Sequence, residues 1–181
     1  MKPIPEMSIE ELGGLVCESL QKAGITVTLT GGACVAIWSG GQYISHDLDF
    51  IEEGPVSQRK IREVLGQLGF TARMGRHFVH PESEFFVEFP VGPLMVGDER
   101  VEKFRVRKTL AGALRLLSPT DCVKDRLAAF YLWNDREALQ QALLVAHAQK
   151  IDLANVRRWS VAEDNEGKFR LFRSKLRARR P

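Results

Sequence analysis

The stretch TLTGGACVAIWSGGQYISHDLDF, residues 28–50, decides how this chain is read. Ile25, Val27 and Leu29 alternate with threonines up to Gly31, the pattern of a strand with one buried face. Gly31 and Gly32 then turn the chain into a short helix over residues 33–38, which Gly40 and Gly41 stop, and residues 45–51 read as a second strand. Alternate side chains of an extended segment share a face, so Asp47 and Asp49 point together while Leu48 and Phe50 enter the core. A glycine pair at a strand-to-helix turn lets backbone approach a phosphate, and the open amides and dipole of the helix attract it. One short segment therefore joins a candidate anion cradle to two carboxylates.

Upstream, Ser8 and Glu11 form a capping-box pattern, and Ile9, Leu12, Val16 and Leu20 recur at helical spacing, so a first helix runs to about residue 23 and ends at Gly24. Downstream, Gly54 and Pro55 break the chain before an amphipathic helix marked by Ile61, Val64, Leu65 and Leu68 and closed by Gly69. Residues 70–74 and 85–89 read as strands. In the latter, Phe85, Val87 and Phe89 are expected in the core, with Glu84, Phe86 and Glu88 on the opposite face, where Glu88 can meet the aspartates. Residues 103–107 and 113–117 are weaker strands around Gly112. Ser118, Pro119 and Asp121 are a strong helix start, and helices follow over residues 119–133, 135–149 and 152–159, with a thinly apolar helical tail from residue 163. The expected fold class is α/β (α+β): a mixed sheet with flanking helices over residues 1–117, then a helical region, 118–181, with a basic C-terminal tail.

A chain of 181 residues buries roughly 70% of its unfolded surface and requires no covalent staple. No apolar run approaches the roughly 18 residues of a membrane span, and MKPIPEMSIEE lacks a signal core, so a cytoplasmic protein without membrane contact is expected. Cys17, Cys34 and Cys122 are odd in number and dispersed, which reads as buried free thiols rather than disulfides or a zinc site. His77 and His80 lie three apart in a segment of strand or turn, where that spacing does not converge as it would on a helix; they read as surface histidines. From Arg157 onward nine basic residues face three acidic ones, a net of +6, which leaves the rest of the chain at −3. Such a tail is either a solvated, frayed terminus or a contact for nucleic acid.

Carboxylates within about 4 Å repel by roughly 4 kcal/mol per pair at an effective dielectric of 20, so converging acids call for a cation. Oxygen donors without cysteine or a histidine cluster favour magnesium or manganese over zinc. A hydrophobic strand, Gly-Gly, a spacer, Asp-hydrophobic-Asp-hydrophobic and a later acid between hydrophobics resembles the nucleotidyltransferase superfamily typified by DNA polymerase beta. Leu29, Gly31, Gly32, Asp47, Leu48, Asp49, Phe50, Val87, Glu88 and Phe89 carry the resemblance. The 14-residue spacer, residues 33–46, and Ser45 two before Asp47 look like the abortive-infection toxin-like (AbiEii-type) branch.

The resemblance implies a nucleotidyltransferase-like fold and transfer of NMP from an NTP to a hydroxyl on RNA, protein or a small molecule, with two Mg²⁺ or Mn²⁺ ions. It implies that Gly31, Gly32 and Ser45 contact triphosphate, that Asp47, Asp49 and Glu88 bind metal, and that Glu88, the third carboxylate, is a candidate general base, with Glu84 competing for that place. A basic residue of the helix at 119–133, Lys124 or Arg126, would reach the nucleotide. A toxin–antitoxin or phage-defence role follows from the same branch, with tRNA or another nucleic acid on the basic tail and an antitoxin-type partner. The alternatives are a non-catalytic nucleotide- or RNA-binding module, or an antitoxin-like partner, on the same fold.

Overall fold

The computed structural model describes residues 2–178; Arg179 and Arg180 of the basic tail lie outside them. Helix α1 (Ile9–Lys22) opens on a complete capping box: Glu11 N–H donates to Ser8 Oγ, and Ser8 N–H donates to Glu11 Oε2 at 2.8 Å. Strand β1 (Val27–Thr30) follows, then helix α2 (Gly31–Trp38), strand β2 (Asp47–Glu52), helix α3 (Gln58–Gln67) and the strands β3 (Thr71–Ala72), β4 (His77–Val79) and β5 (Phe86–Glu88). A separate hairpin comprises β6 (Met95–Val96) and β7 (Glu99–Arg100), and β8 (Phe104–Lys108) and β9 (Ala113–Leu117) complete the sheet. Four helices end the described chain: α4 (Pro119–Trp133), α5 (Arg136–Ala148), α6 (Leu153–Ala162) and α7 (Glu166–Ala178).

The seven-stranded sheet has the order β3-β4-β5-β2-β1-β9-β8. It is mixed: β1 runs antiparallel to β2 and parallel to β9, and β2 runs parallel to β5. The parity expected of β2 holds, since Leu48 and Phe50 are fully buried and Asp47 and Asp49 are only partly so. Helix α1 fixes which face is the core. A Cβ placed at Gly13 would stand 3.2 Å from Leu48 Cδ2 and 3.3 Å from Leu114 Cδ1, so bare helix backbone rides directly on the apolar side of the sheet. The other face carries Thr28, Thr30, Asp47, Asp49 and Glu88.

The structure adjusts several sequence expectations. Helix α2 begins at Gly31 rather than residue 33, so both glycines belong to its first turn. Phe85 is half-buried outside β5, beside the His46 ring, instead of in the core. The β6–β7 hairpin was not expected; it turns at Gly97, with φ of 58°, and docks on α6, where Trp159 Nε1 donates to Val96 O at 3.0 Å and Asp98 N–H to Glu163 Oε1 at 2.8 Å. The tail is not frayed through residue 178. Phe169 and Phe172 of α7 are buried against the other helices, and Lys168 Nζ donates to the terminal carbonyls of α4, Phe130 O at 3.1 Å and Tyr131 O at 2.6 Å. Buried residues of the sheet and of the four terminal helices form one contiguous apolar cluster. Cys17, Cys34 and Cys122 are all free and buried; the neighbouring Cys34 and burial hold the Cys122 thiol well above its ordinary range, so it stays protonated and inert. Among the described residues no helix is long and apolar enough to cross a membrane.

Candidate active site

The site is a row across four strands. Thr30 of β1 pairs with Asp49 of β2, Asp49 with Glu88 of β5, and Glu88 with His77 of β4. Directly paired residues of neighbouring strands project on the same face, so strand register alone aligns Asp49, Glu88 and His77. Asp47, two residues before Asp49, shares that face. The row ends against the start of α2. Gly31 has φ of 65°, and a Cβ there would overlap Asp49 Oδ2; one on Gly32 would lie 2.8 Å from Ser45 Oγ. Gly31 thus lets the helix start sit on Asp49, and Gly32 lets it sit on Ser45. Thr30, at the N-cap, makes no side-chain cap and instead donates its hydroxyl to Asp49 O at 3.2 Å, so the first-turn amides of α2 have no side-chain acceptor from their own cap and no acid in that turn.

Negative charge accumulates here. Burial, reinforced by Asp47 and then Glu88, pushes the Asp49 carboxyl up to about 6, against a partial offset from Arg126. Arg126 lies on α4. Burial alone would lower its guanidinium, but Asp125, gripped by Nε at 2.9 Å and by a second nitrogen at 2.5 Å, holds it above its ordinary value. Nη1 also donates to Gln141 Oε1 at 3.4 Å. Ser45 is buried, and its hydroxyl donates to Asp47 Oδ1 in a short contact, so it orients that carboxylate.

Lys124 is placed differently. It is 2% exposed and bonded to Glu99 Oε1 at 2.7 Å, Asp121 Oδ1 at 3.1 Å and Asn155 Oδ1 at 3.3 Å. Two residues from Arg126 on a helix, it faces away from that side chain and into a separate cleft of about 860 Å³ lined by residues including Arg105, Lys150 and Arg158. Its head group is held by the unexpected hairpin, which supplies Glu99. Glu84 is outside the row as well, on the turn before β5 and 3.6 Å from His46 Nδ1.

His77 is the residue that sequence reasoning misplaced. It is not a bystander on the surface: Nδ1 lies 2.6 Å from Glu88 Oε1, and its ring stacks on Phe86 with centroids 4.7 Å apart. A signal was available. The turn residues Pro81, Glu82, Ser83 and Glu84 are the midpoint of a hairpin, and counting outward from it sets His77 opposite Glu88.

The donor set fits a hard divalent cation in its chemistry, with two carboxylates on one strand face and Asp49 under repulsion that a cation relieves. The third acid does not close a cage: among the described residues no three His, Cys, Asp or Glu side chains form a ready metal-holding group.

No protein-family model matches the chain, and no curated protein matches it. Among solved structures it is similar to an antigenic nucleotidyltransferase-like protein from Paracoccidioides brasiliensis, with 17% identity and a TM-score of 0.54 over 80% of this chain and 77% of that one. It is also similar to ANT(2")-Ia in complex with adenylyl-2"-tobramycin, at 11% identity and a TM-score of 0.47, over 92% of this chain and 97% of that one. The first of these establishes the class of fold. The mixed sheet with its flanking helices is nucleotidyltransferase-like, and at these identities the likeness is one of fold.

Proposed function

We propose that this chain is a metal-dependent nucleotidyltransferase that moves NMP from an NTP to a hydroxyl acceptor. The observation that carries the reading is the meeting of Asp49 with the start of α2: a helix N-terminus free of side-chain capping is pressed, through Gly31, against a carboxylate that burial, and then Asp47 and Glu88, push up to about 6. A triphosphate and the cations that accompany it supply what both halves lack, negative charge for the amides and positive charge for the acids.

In this reading the Gly31 and Gly32 amides bind the triphosphate, and Asp47, Asp49 and Glu88 would hold one or two Mg²⁺ or Mn²⁺ ions, Asp47 being oriented by Ser45. Bound there, the ions would neutralise the triphosphate and acidify the acceptor hydroxyl. Glu88 takes the proton of that hydroxyl as its oxygen bonds to the α-phosphorus, the bond from that phosphorus to the bridging oxygen breaks, and pyrophosphate leaves. Arg126 faces the acids with a fixed positive charge, whereas Lys124, enclosed by Glu99 and Asp121, has no part in the reaction.

The finer reading is an abortive-infection toxin-like role with an antitoxin-type partner and a tRNA acceptor. It rests on the Ser45-to-Asp47 spacing and on the exposed Arg170, Arg173, Lys175 and Arg177 of α7, a basic face suited to phosphate backbone. The test is calorimetric titration of ATP, GTP, CTP and UTP with and without Mg²⁺, followed by a labelled-NTP acceptor screen, on wild type and the Asp47→Asn, Asp49→Asn double variant. Metal-dependent binding and label transfer that vanish in the variant are expected. Binding without transfer to any acceptor would instead favour the non-catalytic nucleotide-binding module, and a folded wild type that binds none of the four would overturn both.

A further inference from the structure

The third acid of the site is a glutamate, one rotatable bond longer than an aspartate, and a side chain with that freedom needs a second support to hold one direction. The neighbouring strand provides it. His77 and Glu88 are directly paired on antiparallel β4 and β5, a spacing of about 5 Å between Cβ atoms that lets an imidazole and a carboxylate meet without strain. The imidazole is itself fixed, since Phe86, two residues from Glu88 on the same face, stacks under it at 27° between planes. A carboxylate only accepts hydrogen bonds, so the 2.6 Å contact makes His77 Nδ1 the donor and Glu88 Oε1 the acceptor. Among the described residues no side chain or backbone group donates to the other oxygen, Oε2.

We propose that His77 is a positioning residue for the third carboxylate: its Nδ1–H holds Glu88 Oε1 and leaves Oε2 for the ion beside Asp49. The proposal rests on the nucleotidyl-transfer reading and adds to it a residue that touches neither nucleotide nor metal. A bond of this kind, from a neighbouring group to a coordinating carboxylate, typically changes metal affinity or activity by about 10–100-fold when removed.

The test has two parts. In metal-free protein labelled with ¹⁵N in its imidazoles, NMR should find His77 protonated at Nδ1, with a downfield proton signal that is lost in Glu88→Gln; a His77 protonated only at Nε2 would overturn the proposal. Mn²⁺ titration followed by electron paramagnetic resonance then separates the proposal from the reading beneath it. His77→Leu, folded by circular dichroism, should bind Mn²⁺ about 10-fold more weakly, and His77→Asn, which restores a donor near the Nδ1 position, should return to within about 3-fold of wild type. If Asp47→Asn, Asp49→Asn abolishes Mn²⁺ binding while His77→Leu leaves it unchanged, the site stands and the positioning role falls. If wild type binds no Mn²⁺, both fall.

Discussion

Two clusters of charge meet α4, and they are handled in opposite ways. Around Lys124 the cations and anions cancel within the fold. Lys124 bonds Glu99 and Asp121, Arg158 bonds the second oxygen of Glu99 at 2.7 Å, and although burial alone would raise the Glu99 carboxyl, these two cations hold it below the usual range. Around Asp49 the same chain leaves Asp47, Asp49 and Glu88 with Arg126 as the facing cation, and Arg126 is already gripped by Asp125. A charge cluster that neutralises itself holds a structure together. One that leaves repulsion standing is, in the function proposed above, where charge from outside would be received.

The comparison breaks first at Asp47. Asp47→Asn should lower nucleotidyl transfer by roughly 10³-fold or more, about 4 kcal/mol of transition-state stabilisation, while the circular dichroism spectrum stays as in wild type; a variant with full label transfer would remove the charge argument. Lys124→Met should do the reverse. It leaves Asp121 and Glu99 short of a buried cation and should cost roughly 3 kcal/mol of stability, read as a lower urea midpoint, with transfer per folded molecule unchanged.

Asp49 sharpens the contrast through pH. Its folded carboxyl titrates near 6, above the ordinary 3.8, so the folded state holds the proton more tightly; the resulting stability is fully present below pH 3.8 and is lost as pH rises through about 6. In metal-free protein at pH 7.5, Asp49→Asn should therefore raise stability by on the order of 1–3 kcal/mol, and the gain should disappear toward pH 4. A thermal melt showing Asp49→Asn destabilised at pH 7.5 would mean that the acids do not repel as described. The smallest effect is expected at Lys168, whose removal frees two α4 carbonyls: Lys168→Ala should cost about 1 kcal/mol in denaturant unfolding and leave transfer intact.

Much of this contrast is legible in the sequence, and the legible part is local. The Gly-Gly turn, the parity of Asp47 and Asp49, the Ser118-Pro119 helix start and the span of β9 all follow from residues within a few positions of one another. What escaped depends on partners distant in sequence. Lys124 and Arg126 are two residues apart and chemically alike, and only the β6–β7 hairpin, some 25 residues upstream, decides that Lys124 is enclosed. The order of strands that puts β5 beside β2 is a tertiary outcome; the sequence marked Glu88 by parity and by the family pattern, but not its direct pairing with Asp49. The tail is helical as expected, but its docking escaped because its two buried phenylalanines, Phe169 and Phe172, sit among charges whose number masks a narrow apolar stripe. His77 is the intermediate case, recoverable from hairpin counting once the turn is recognised.

Gly31 carries a consequence for reading related genes. Its hydrogen stands where any other residue would drive a carbon into the Asp49 carboxylate, at a φ that side chains rarely adopt, so Asp49 keeps its present direction only while that codon stays glycine. A relative in which both aspartates survive but this glycine has drifted must carry Asp49 in another direction, so a survey that looks only at the acids will miss the change.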